Sequence, residues 1–279
     1  MRLRTFIHQA ARSRVRPGTA VVIGLGVSQI ANLATTIYLH RQLAHRALEL
    51  DPRLARACEL IVRCSTGMVP LEWAAIHQQH HAHTDEPGDP HSPLIEGLYE
   101  VQAHNVRLYK EAKDTPDVQR RLQVLTKNNP GQLDWLSGGR GLAIGIGTAI
   151  IVFGPIPGLI ISLVHWPVYI GQSASVNGVG HAGMDAVTMK QQNLRSRVLW
   201  RVAQRFGYRN FDTPDTSWNL PPLAFATAGE GYHNNHHAQP ESPTFALQPG
   251  ELDLGWVVIK ALQRRQLVTI RESELTSPS

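Results

Sequence analysis

Gly229-Glu230-Gly231-Tyr232-His233-Asn234-Asn235-His236-His237 is the stretch on which the reading of this chain turns. On a helix, positions i, i+3 and i+4 share one face, so His233, His236 and His237 project into one small volume. The same spacing occurs upstream in His77-Gln78-Gln79-His80-His81, and before it His40 and His45 stand with four residues between them. Imidazole is the commonest protein metal ligand and binds through either nitrogen when neutral, so eight histidines in three clusters point to metal. One ion cannot use them all. A structural zinc closes with four ligands and an octahedral ion with six, which argues for two metals side by side. Adjacent residues differ by about 100° around a helix, so His80 and His81, like His236 and His237, can divide between neighbouring ions. An isolated histidine such as His8 or His104 is ordinarily a surface or packing residue. That ordinary role does not account for one triplet occurring twice among 14 histidines.

Composition narrows the setting. The chain has 279 residues, 42% of them apolar, and no internal linker that would force two domains. Its mean hydropathy of -0.19 is low for a many-span membrane protein, so any membrane portion is confined to a few segments. The two cysteines, Cys58 and Cys64, exclude a disulfide framework and a cysteine-ligated zinc or iron–sulfur site, and they suit a reducing compartment. A net charge of +5 suits anionic lipid, an acidic protein partner or a phosphate-bearing substrate. No basic stripe interleaved with aromatics is present, so no nucleic-acid partner is expected.

Residues 1–18 form a basic N-terminal segment with Arg2, Arg4, Arg12, Arg14 and Arg16. The apolar run that follows is too long for a signal peptide and lacks a cleavage pattern, so Thr19–Leu39 reads as a membrane anchor that ends at a candidate ligand, His40. Leu54–Ile76 carries Arg56, Glu59, Arg63 and Glu72, which predicts one amphipathic interfacial segment rather than a span. Residues 83–93 hold three prolines and cannot form a long helix. Their Asp85, Asp89 and His91 are candidates to orient ligand imidazoles through the far ring nitrogen. Residues 96–135 read as a polar helical connector. Residues 141–154 and 156–176 form a helical hairpin turning at the Gly154–Gly158 Pro/Gly cluster, which reaches into the bilayer and returns. Asn177 and His181, four apart, then emerge level with the other clusters. The arginine-rich residues 195–209 read as soluble, 251–264 as a packing helix, and 265–279 as a flexible tail. The expected fold class is all-α: one N-terminal span and a hairpin within a 19–264 membrane domain, under a cytosolic helical cap that holds a di-metal site.

In order and spacing, H-x4-H, H-x-x-H-H, N-x-x-x-H and H-x-x-H-H resemble the integral-membrane fatty acid desaturases, particularly the Δ9 acyl-CoA and acyl-lipid group. His40-Arg41 with His45-Arg46, Trp73 before the second box, Asp89-Pro90-His91 after it, Gly229-Glu230-Gly231 before the third, and Asp253 with Trp256 extend the match over residues 33 to 264. The resemblance implies that His40, His45, His77, His80, His81, His181, His233, His236 and His237 hold two irons, with Asn177 reaching one through water and Glu230 standing behind the ligands. It also implies O2 as co-substrate and a long acyl chain as substrate. Electrons would come from an external ferredoxin, rubredoxin, cytochrome b5 or reductase, and the site would face the cytoplasm from an integral-membrane protein. Soluble carboxylate-bridged di-iron bundles need two E-x-x-H motifs, and here only Glu230 to His233 has that spacing. The family typically has two spans before its first box, whereas this chain has room for one. If that one crosses, the basic N-terminus lies opposite the histidines, against the positive-inside tendency.

Three other readings follow from the same residues. A di-iron hydroxylase of a lipid or alkyl substrate would share the ligands and differ in product. A haem electron carrier would leave most of these histidines unused, and a metal transporter would hold its ligands at the bilayer midplane.

Overall fold

The computed structural model describes residues 15–183 and 185–271. Most of the N-terminal basic segment, and the chain from 272 onward, lie outside them. Pro17–Ala34 (α1) opens with proline at the helix start, where its missing N–H costs nothing, and runs directly into a π-helical segment, Thr35–Ala44. Leu48–Leu50 (β1) follows, then Pro52–Thr66 (α2), whose first turn is capped by Asp51 Oδ1 accepting from the Arg53 amide at 2.9 Å.

The single amphipathic segment expected over 54–76 is two helices. α2 ends before Gly67, and Pro70–Ala82 (α3) starts at a proline. Pro70 has no N–H to give the preceding turn and its ring would clash with the carbonyl four residues back, so one helix cannot run through it. Residues 83–97 are turns, as their prolines require. The polar connector folds as Leu98–Lys113 (α4) and Pro116–Asn128 (α5). Gly139–Phe153 (α6) and Pro155–Asn177 (α7) make the hairpin, turning at Gly154. Ala186–Gln191 (α8), Leu194–Phe206 (α9), Pro221–Ala226 (α10), His233–Ala238 (α11) and Leu254–Gln263 (α12) complete the helices. The flexible tail expected from 265 begins too early: Val268–Ile270 (β2) pairs antiparallel with β1, Leu48 opposite Ile270 and Leu50 opposite Val268. A three-residue strand has no period to betray it in sequence. It is held by a partner more than 200 residues away.

Among the described residues, two helices are long and apolar enough to cross a membrane, Pro17–Ala44 and Pro155–His181. They run parallel, since Gly24 packs on Ile161 and Val164, Ser28 meets His165, and Asn32 meets Gln172. The start of α1 therefore lies at the same end as the hairpin tip, and the histidines gather at the other. Polar residues inside these helices find partners within the protein. Ser28 Oγ donates to Gly24 O at 3.1 Å, Asn32 Nδ2 donates to Gln172 Oε1 at 2.8 Å, and Trp166 Nε1 donates to Ser65 O at 3.1 Å. Internal pairing of this kind is what an apolar environment demands. The main core joins the π-helical segment, α2, α3, α5 and α12 through Leu39, Leu43, Val62, Leu71, Val118, Leu125 and Ile259.

α2 and α6 approach so closely that a Cβ built on Gly145 overlaps the carbonyl oxygen of Cys64. Gly145→Val should separate these helices and cost about 1–3 kcal/mol by overpacking, read as a lower unfolding midpoint in detergent. Gly147→Val, where a Cβ meets open space, should leave the midpoint in place.

Candidate metal centre

Five histidines, His40, His45, His77, His81 and His236, bring one ring nitrogen each to within 4.8 Å of the others, and His80, His181, His233 and His237 form a second such group. The first two owe their convergence to the π-helical segment. On an α-helix, residues five apart differ by about 140°, but a π-helix bonds i to i+5, and the His45 amide donates to His40 O at 3.1 Å. The four-residue gap between His40 and His45 thus places both rings on one side. On α3 and α11 the adjacent pairs divide as the 100° step requires: His81 and His236 join the first group, His80 and His237 the second.

Within the first group, Nε2 atoms lie 3.0 Å apart in His40 and His236, 2.9 Å in His45 and His77, 3.1 Å in His77 and His81, and 2.8 Å in His81 and His236. Within the second group the spacing is 3.0 Å for His181 and His233, 3.2 Å for His233 and His237, and 3.3 Å for His80 and His237. Two nitrogens bound to one ion at about 2.1 Å and at right angles would lie about 3 Å apart.

Four carboxylates fix the tautomers. His40 Nδ1 meets Glu230 Oε2 at 2.5 Å, His80 Nδ1 meets Asp89 Oδ1 at 3.0 Å, His181 Nδ1 meets Asp85 Oδ2 at 3.3 Å, and His237 Nδ1 meets Asp215 Oδ2 at 3.0 Å. A ring that donates Nδ1–H carries its lone pair on Nε2. Burial, reinforced by neighbouring imidazoles, holds His77, His81, His233, His236 and His237 well below the usual histidine pKa, so these rings are neutral at pH 7. Burial alone would raise the pKa of Asp85, Asp89 and Glu230. The histidines they face outweigh it and keep all three ionised.

The sequence-derived residues fall into place unevenly. Asp85, Asp89 and Glu230 each face Nδ1 of an imidazole in the two groups. His91 is buried, its ring 4.5 Å from that of His80 and its Nδ1 3.8 Å from Asp89 Oδ1 without a hydrogen bond, and His80, Asp89 and His91 form a third group of metal-ligand type. The His91 backbone amide donates to Asp89 Oδ1 at 3.0 Å. Asn177 is the last residue of α7 and lines a cavity of about 630 Å³ together with His77 and His91. Trp73, Tyr109, Leu142 and Trp166 form further parts of its wall. Trp73 stacks on His77 at 4.9 Å and 11°.

Several residues that hold the site had no spacing signal. Asp215 belongs to no motif. Asn234 and Asn235, the two residues inside the last box, are wholly buried and anchor α11. Asn235 Nδ2 donates to Phe245 O and Glu251 Oε2, both at 2.8 Å, and its Oδ1 accepts from Asn219 at 2.7 Å. Asn234 Oδ1 accepts from the amides of Asn210 and Phe211, each at 2.9 Å. Arg41, next to His40, reaches Asp253 at 2.6 Å with both side chains almost fully buried. Gly229, at φ 108°, passes against Asp253 where a Cβ would overlap the carboxylate. One buried carboxylate thus ties the first box to the last.

Asp253→Asn leaves Arg41 buried without its counter-charge, which should cost about 3–5 kcal/mol and lower the unfolding midpoint in detergent. Arg271→Gln breaks the exposed pair with Glu49 and should change stability by about 1 kcal/mol or less.

Comparison with known proteins agrees with this geometry. The family model described as fatty acid desaturase matches residues 17–251. The chain is 28% identical over 269 residues to the hex-5-enoyl-(acyl-carrier protein) acetylenase of Moorena producens (strain JHB), covering 90% of this chain and 77% of that one. It is 30% identical to Delta-9 desaturase-like 2 protein of Arabidopsis thaliana, covering 88% and 74%, and 30% identical to an acyl-CoA 5-desaturase of Anemone leveillei, covering 84% and 66%. With a matched segment that takes in all three histidine boxes, the chain belongs to the fatty acid desaturase family and is an oxidoreductase of lipid metabolism.

Proposed function

We propose that the chain is an oxygen-dependent fatty acyl desaturase, with nine histidines holding two iron ions at the aqueous edge of a membrane. The observation that carries this reading is the convergence of nine ring nitrogens in two groups, five and four, each group lying within 4.8 Å. Spacings of about 3 Å between neighbouring nitrogens are those of donors that share one ion. The five-histidine group would hold one ion, and the four-histidine group the other, with Asn177 reaching it through water. Imidazole donors suit iron among several first-row metals, and iron is what the family resemblance implies. With O2 and two electrons from outside, the iron pair supplies an oxidant able to break an unactivated methylene C–H bond, which no side chain can do.

The protein's own residues bind, orient and exclude water. Glu230, Asp89, Asp85 and Asp215 hold four rings in one tautomer and one orientation. The cavity beside His77 would receive the acyl chain, with Trp73, Leu142, Trp166 and Ile170 as apolar wall. Packing hydrocarbon against them keeps water from the reacting carbons. Lys110 and Lys113 line the same cavity and would meet the phosphate of a CoA or carrier-protein headgroup.

Ile151, Leu163 and Val22 are 85%, 68% and 67% exposed on the apolar helices, as lipid-facing side chains would be. The histidine end would face the cytoplasm, where ferredoxin, rubredoxin, cytochrome b5 or a reductase delivers electrons to a basic surface.

Expressed in a host auxotrophic for unsaturated fatty acids, the chain should yield acyl chains lighter by two hydrogens; gain of an oxygen atom would reassign it as a hydroxylase. The loaded polypeptide should contain two irons, and no more than one would overturn the di-metal reading. Asp215→Asn should retain the helical circular dichroism spectrum and lower metal affinity by about 10–100-fold, measured by competition with a chelator.

A further inference from the structure

We propose that α9, Leu194–Phe206, lies in the headgroup layer of an anionic bilayer and gives the chain a lateral membrane contact beside its spans. The proposal rests on the membrane reading above and departs from the soluble character that arginine content suggests for residues 195–209. Leu194, Val198, Val202 and Phe206 recur at i+4, so they form one row along the helix, and they are 66%, 51%, 58% and 51% exposed. A continuous exposed apolar row marks a contact surface, whereas single exposed apolar residues do not. Arg197, Arg201 and Arg205 repeat at the same interval and form the next row, about 60° around the helix. Arg201 and Arg205 are exposed and make no ion pair among the described residues. The opposite side of α9 is already used: Ser196 and Ala203 are buried, and Leu199 and Trp200 pack on the cluster of Leu98, Met189 and Leu220.

Two observations select a lipid surface as the occupant. Val202 and Phe206 share a shallow groove with Ser175 and Val179, at the end of the second membrane-length helix, and with Leu223 of α10. The adjoining Phe225 is 63% exposed. The apolar row is thus continuous with the surface that the span itself would present to lipid. A basic row beside an apolar one also matches phosphates above acyl chains, with arginine stems lying along the apolar surface and guanidinium groups rising to the headgroups. An acidic redox protein would pair with the arginines but would leave the apolar row without a complement.

The test uses the full iron-loaded chain in lipid nanodiscs, with Cys64 replaced by serine and Cys58 left in place because it is buried. A fluorophore is attached at Val202→Cys, at Ile151→Cys on α6, or at Glu86→Cys beyond the far end of α3, and quenching by spin-labelled lipid is read. Quenching at 202 and 151 but not at 86 is expected. Quenching at 151 without quenching at 202 overturns the α9 proposal, leaves the spans standing, and releases the row for a protein partner. Absence of quenching at both overturns the membrane reading itself. Spin-labelled phosphatidylglycerol should quench the 202 probe more than spin-labelled phosphatidylcholine at equal content, since an arginine near the surface enriches anionic lipid roughly fivefold. Arg201→Gln with Arg205→Gln should remove that preference, and equal quenching by the two lipids in the parent chain overturns the anionic assignment.

Discussion

Nine imidazole rings gather in two groups, and within each group the ring nitrogens lie within 4.8 Å of one another. Four carboxylates face Nδ1 of His40, His80, His181 and His237 and orient those rings. Burial and neighbouring imidazoles disfavour imidazolium at His77, His81, His233, His236 and His237, which leaves neutral donors of the kind a metal ion takes. The remainder of the architecture can be understood as the means of bringing those rings together.

Three devices accomplish it, each at a different scale. The π-helical segment changes the angular step along the backbone, so that His40 and His45 share a side. The 100° step of α3 and α11 then deals neighbouring histidines to opposite groups. The buried Arg41–Asp253 pair and the amide network around Asn234 and Asn235 lock α11 against the first box. A buried ion pair adds little net stability but fixes register, since every alternative packing leaves a charge unpaired. Position, rather than strength, is what the convergence of these rings needs.

The same logic connects the centre to its surroundings. Trp73 stacks on His77 and also lines the cavity, so the wall proposed for the acyl chain shares a residue with the support of a ligand ring. Parallel packing of α1 and α7 brings His40 and the residues leading to His181 to one end of the apolar pair. A row of exposed apolar side chains on α9 stands beside that same end.

Sequence alone was enough for whatever depends on local geometry. The H-x-x-H-H boxes, the prolines that forbid a helix over 83–93, the hairpin at Gly154 and the division of His80 from His81 all follow from distances of a few residues, where helix geometry is the only variable. Tertiary structure decided the pairings that cross the chain. Asp215 reaches His237 from a loop with no motif, Asp253 meets Arg41 across 212 residues, and β2 recovers three residues from an expected tail by joining β1. His91 sits in a recognisable motif, and only packing puts its ring beside that of His80 with Nδ1 lacking a hydrogen-bond partner. Helical periodicity reports which side chains share a face. What that face meets, whether a carboxylate, a lipid or a neighbouring ring, is set by packing among segments that sequence separation leaves independent.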